Sequence, residues 1–102
     1  MSVKGQLTAT RDFLMAGMRA AGRVSAPNEQ AMKLLRACLD LVEHMLPKSE
    51  SVTTAEVETT LGVLHQAAGE LEQDDTASAV LAAVRNAIGR MQALRTEITA
   101  AK

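Results

Sequence analysis

Val80, Val84, Ala87, Met91, Leu94 and Ile98 follow one another at spacings of four and three residues, which lines them along one side of an α-helix like a coiled-coil seam. Leu81 and Ile88 widen that seam. Three earlier stretches show the same period. In the first, Val3, Leu7, Leu14, Met18 and Ala21 share a stripe on which Thr10 takes the place of an apolar residue. In the second, Ala31, Leu34, Cys38, Leu41 and Met45 run beside Met32, Leu35, Leu39, Val42 and Leu46, leaving Lys33, Arg36, Asp40, Glu43 and His44 on the remaining side. The third carries Val57, Leu61, Leu64, Ala68 and Leu71, with Val63 off the stripe.

The breaks between these stretches carry helix-boundary chemistry. Gly22 is suited to end the first helix in a left-handed conformation. Ser25 and Pro27 predict a cap and a first-turn proline for the second helix, and Pro47 its end. Thr53-Thr54-Ala55-Glu56 reads as a capping box with Val52 and Val57 as its hydrophobic staple, and Asp74 or Asp75 is placed to cap the last helix. The pattern predicts one domain, 1–102, with helices over about 3–22, 26–46, 54–72 and 75–99. Connections this short between long helices predict an all-α fold, an antiparallel up-down-up-down four-helix bundle.

Composition narrows the function classes. Phe13 is the only aromatic residue among 102, so the stacking platforms of single-stranded nucleic-acid binders and the usual Trp and Tyr hot spots are missing. A net charge of −1 gives no long-range attraction for a polyanion. We therefore expect no nucleic-acid partner. No apolar run is long enough for a signal peptide or a bilayer span, and Cys38 is the only cysteine, so the expected location is cytoplasmic with no membrane association. On its apolar stripe Cys38 reads as a buried, inert thiol.

Charge is uneven along the chain. Residues 1–48 hold seven basic and four acidic side chains, 49–75 none and seven, and 76–102 four and one. Glu56, Glu58, Glu70, Glu72, Asp74 and Asp75 thus give the third helix and its end an acidic surface, which either pairs with Arg85, Arg90 and Arg95 inside the bundle or docks a basic partner.

Glu58, Gly62, His65, Gly69 and Glu72 line one flank of the same helix. Two mid-helix glycines weaken a helix by roughly 1 kcal/mol each relative to alanine, so they call for a reason. One is close approach of a neighbouring helix, with His65 at the edge of that contact; the other is an imidazole left accessible. The spacing of His65 and Gly69 resembles the histidine phosphotransfer family, four-helix bundles in which an exposed helical histidine accepts a phosphoryl group and a glycine follows four residues later. The resemblance implies His65 as phospho-acceptor; it spans two residues and the chain length, and Ala68 stands where that family has a basic residue.

His44 follows Asp40 by four residues, a solvated pair rather than a metal site, since no helix carries two Glu-x-x-His motifs. No metal, cofactor or small-molecule substrate is implied. Ala16/Ala20 and Gly17/Ala21 make the first helix one of small side chains, suited to close packing and expected to be the least stable of the four. The wide apolar faces and the acidic helix together predict a non-catalytic adaptor or regulatory bundle that binds a protein partner or itself. Histidine phosphotransfer on His65 is the alternative.

Overall fold

The computed structural model describes residues 2–23, 28–73 and 77–100. Four helices make up the fold: α1 (Val3–Ala21), α2 (Glu29–Met45), α3 (Thr54–Glu72) and α4 (Ser78–Ala100), with a 3₁₀ segment, Leu46–Ser51, between α2 and α3. α1 packs most extensively on α4, and the pairs α3–α4, α2–α3 and α1–α2 complete a ring around one elongated core. The molecule measures 45 × 20 × 19 Å, about the length of its longest helix plus the turns at each end.

Helix starts follow local chemistry. The Ser2 hydroxyl accepts from the Gly5 N–H at 3.0 Å and begins α1. For α2 the cap is Asn28, whose Oδ1 accepts from the Ala31 N–H at 3.1 Å, so the helix begins three residues later than its expected start at 26. Ser25 and Pro27, expected to open α2, lie outside the described residues, as do Asp74 and Asp75 before α4. The α3 capping box is present as read: the Glu56 N–H donates to Thr53 Oγ1 at 3.2 Å and the Thr53 N–H to Glu56 Oε1 at 3.1 Å. Val57 is fully buried and Val52 packs against the core beside it.

Gly22 is the C-cap of α1 but keeps a right-handed φ of −64°, with its N–H donating back to the last turn, so no left-handed cap is used. Pro47 does not stop the chain from coiling. It sits in the first turn of the 3₁₀ segment, where its missing N–H has no role, and the bend comes at Lys48 (φ −115°, ψ 37°).

The core seam of α2 runs between the two stripes seen in the sequence. Ala31, Leu35, Cys38, Val42 and Met45 are buried, with Leu34 and Leu41 half-buried on one flank and Met32, Leu39 and Leu46 on the other. A helix with two adjacent apolar stripes centres the pair on the core, so each stripe contributes alternate residues. Likewise Ile88 is buried and Leu81 half-buried on α4. The apolar width that suggested spare surface is thus folded into the bundle, and among the described residues Met15, at 39 % exposure, is the exposed large hydrophobic side chain.

On α1 the buried line is Gln6, Leu7, Thr10, Leu14, Gly17 and Ala21. Gly17 replaces Met18 on it because α4 comes so close: a Cβ built on Gly17 would lie 3.2 Å from Ala83 Cβ. The small-residue packing of this helix is therefore a tight backbone approach to α4.

Candidate functional site: the outer face of α3

α3 turns Val57, Thr60, Leu61, Leu64, Ala67, Ala68 and Leu71 inward. A period of 3.6 then fixes the opposite side, and Glu58, Gly62, His65, Gly69 and Glu72 are all exposed, as are Thr59, Gln66 and Gln73. This is the flank that the sequence singled out. The close helix approach expected at Gly62 and Gly69 is not there: a Cβ built on either meets nothing within 4 Å. Nothing in the bundle's packing asks for glycine at these positions. Their effect is local, leaving bare backbone one turn to either side of the His65 ring.

The acidic residues divide. Glu56 is committed to the fold, since its carboxylate closes the capping box and meets Lys48 Nζ at 2.6 Å. The hydrogen bond from Lys48 and those from Thr53 hold the Glu56 carboxyl below its usual range. Glu72 lies 3.6 Å from Arg85 on α4, an exposed pair of little energetic weight. That contact realises part of the expected pairing with the α4 arginines. Glu58 is exposed and Glu70 half-buried, its backbone carbonyl receiving the Asn28 side-chain amide at 3.5 Å. Asp74 and Asp75 lie outside the described residues. Among the described residues of α3, Glu58 and Glu72 are the exposed carboxylates, and they stand at the two ends of the glycine–histidine flank.

Other chemistry is sparse. His44 and Asp40 are both exposed, one helical turn apart on α2. Among the described residues no group of three His, Cys, Asp or Glu side chains could hold a metal ion. Cys38 is fully buried, and burial pushes its thiol up to about 12, which keeps it protonated and unreactive. A groove of about 200 Å³ lies between α2 and α3, lined by Leu41, His44, Met45, Ala55, Glu56, Thr59 and Thr60; His65 is not part of it. No described helix is long and apolar enough to cross a membrane.

Sequence reasoning missed three polar residues that shape this region: Asn28, which caps α2 and ties it to α3, Lys48, which anchors Glu56, and Thr60, which is fully buried. Asn28 carried a readable signal, being a strong cap residue directly before a helical run; Lys48 depends on how the chain bends between α2 and α3 and Thr60 on which helix lies opposite, neither of which the sequence shows. No family model, curated protein or solved structure matches this chain.

Proposed function

We propose that this protein is a non-catalytic helical interaction module and that the outer face of α3 is its docking surface. The observation that carries the proposal is the pair of mid-helix glycines, Gly62 and Gly69, that no neighbouring helix uses. Each weakens α3 by about 1 kcal/mol relative to alanine, and close approach of another backbone is a use that glycine serves and alanine does not. With that approach missing inside the bundle, a partner backbone outside it is the occupant that makes use of them. Glu58 and Glu72 bracket the face and favour a basic partner segment.

We take the chain path to be antiparallel, up-down-up-down, on the support of the short connections at 22–28, 46–53 and 73–77 and of the packing of each helix against its chain neighbours. In that arrangement the α3 face stands free along the long side of the molecule.

The test compares proteins retained by the immobilised wild-type chain from its own cells with those retained by Gly62→Leu/Gly69→Leu, after circular dichroism has established that the variant is folded. A partner lost from the filled face supports the proposal. An unchanged set of partners overturns it.

Histidine phosphotransfer on His65 is the second reading, favoured by the exposure of the ring and its open glycine flanks. Against it, Ala68 is only 7 % exposed, so the place where the family carries a cation faces the core here. Incubation with a small phosphodonor decides: an acid-labile adduct lost in His65→Gln would establish this reading, and no adduct would remove it.

A further inference from the structure

α1 closes the bundle with an unusual set of buried side chains. Its fully buried large residues are Leu7 and Leu14, with Val3, Phe13 and Met18 half-buried against the core, whereas α2 buries Leu35, Val42 and Met45, α3 Val57, Leu61, Leu64 and Leu71, and α4 Val80, Val84, Ile88, Met91 and Leu94. The other inward positions of α1 are Gln6, Thr10, Gly17 and Ala21. Thr10 is satisfied locally, its hydroxyl donating to the Gln6 carbonyl at 2.8 Å. Gln6 is not: the residue is 4 % exposed and its Oε1 has no hydrogen-bond partner among the described residues. An unpaired buried amide oxygen favours every state in which it regains water. The neighbouring Arg11 Nε is also unpartnered at hydrogen-bond distance, with Asp12 Oδ1 at 3.7 Å.

The contact with α4 is extensive, and at Gly17 it is made through small residues. At Gly17 the helices approach until a Cβ would stand 3.2 Å from Ala83 Cβ and 3.8 Å from the Val80 carbonyl oxygen, so glycine meets alanine and backbone at this point of the seam. Burial free energy follows apolar area removed from water, and a seam of glycine and alanine removes little. Sub-global opening favours an element with few deeply buried apolar side chains, and an unpaired buried polar atom adds to the gain on opening. Of the four helices α1 has the fewest fully buried large side chains, and it holds the unpaired Gln6 oxygen.

We infer that α1 is a detachable strap: it opens as a unit from the α2–α3–α4 body and uncovers the side of α4 that holds Val80 and Ala83. The uncovered groove takes a helix of α1's own chemistry, with Gly facing Ala83 and leucines three and ten residues before it, as Leu14 and Leu7 stand before Gly17. This does not depend on the docking face of α3, which lies on another helix.

Hydrogen exchange followed by mass spectrometry on the full chain tests the opening. The amides of α1 are expected to exchange at least about tenfold faster than those of α3 and α4, and together. Gln6→Met, which removes the unpaired oxygen at nearly constant volume, is expected to slow α1 exchange about fivefold or more and leave the other helices unchanged. Exchange of α1 in step with α3 and α4, or an α1 rate indifferent to Gln6→Met, overturns the inference. The groove is tested with a fluorescent peptide of residues 2–22 added to the full chain. It should bind Gly17→Leu, whose own α1 no longer fits against Ala83, at least about tenfold more tightly than wild type. Equal binding, or none to either protein, shows that the opened face is not a helix site. Gly17→Ala serves the same comparison should Gly17→Leu not fold.

Discussion

Gly62, Gly69 and Gly89 stand on helix surfaces where an added Cβ meets nothing within 4 Å, whereas at Gly17 it would press on Ala83. One substitution should therefore act with opposite signs at these sites. Gly62→Ala and Gly69→Ala are each expected to stabilise the fold by up to about 1 kcal/mol through helix propensity and lost unfolded-state freedom. Gly17→Ala gains the same propensity but forces α1 away from α4, and is expected to come out destabilising in urea melts. Thr60 shows the same dependence on surroundings. Read as one more threonine inside a helix, it should tolerate alanine; fully buried and donating to the Glu56 carbonyl, it is expected to lose about 1 kcal/mol or more on Thr60→Ala. The exposed Thr59→Ala should be neutral or mildly stabilising. A melt series in which Thr59→Ala and Thr60→Ala are equal would show that α3 is rotated from the phase described. Sequence identified the glycine–histidine flank because a 3.6 period orders residues within one helix. Whether Gly62 faced a neighbour or solvent was not readable, because the residues opposite come from another part of the chain.

At the scale of elements, the corner between α2 and α3 combines a 3₁₀ turn, a capping box and the Lys48–Glu56 pair. The box was fully legible, since every atom it uses lies within four residues. Thr53→Ala is expected to cost about 0.5 to 2 kcal/mol, the usual range for losing a cap. Because Glu56 has its folded carboxyl held below its ordinary range, the stability it adds is present above the ordinary carboxylate pH range and is lost as pH falls through the folded value. Denaturation midpoints followed from neutral to acid pH should fall for wild type and fall less for Glu56→Gln, and salt should shrink the difference because the pair is partly exposed. The core of α2 was legible only to within one stripe. Its actual line puts Leu35 fully inside and Leu39 on the flank, so Leu35→Ala should cost about 2 to 5 kcal/mol and Leu39→Ala less. On α3, Leu64→Ala should likewise exceed Val63→Ala, Leu64 being fully buried and Val63 half-buried.

For the whole molecule, the order and type of the elements followed from periodicity, because four amphipathic stretches separated by short breaks leave few ways to bury their stripes. The ring of packed pairs matches that expectation. The surface did not follow as well. Counting apolar positions suggested a face left over for self-association, but a helix flanked on both sides by neighbours shields a wider arc than a two-stranded seam does, and Leu34, Leu41 and Leu81 all pack against the core. Among the described residues Met15 is the large hydrophobic side chain that stands exposed, which leaves a second copy of the chain little to bury. Light scattering is accordingly expected to give a mass near 10.8 kDa across micromolar to high-micromolar concentration. A concentration-dependent rise towards twice that mass would mean that copies of the chain meet through polar surface or through an opened α1. Hydrogen exchange separates those cases, because α1 is the element that the second route must detach from the α2–α3–α4 body. A dimer formed through polar surface would leave the exchange of the α1 amides as it is in the monomer, and one that needs α1 opened would change it as dimer accumulates.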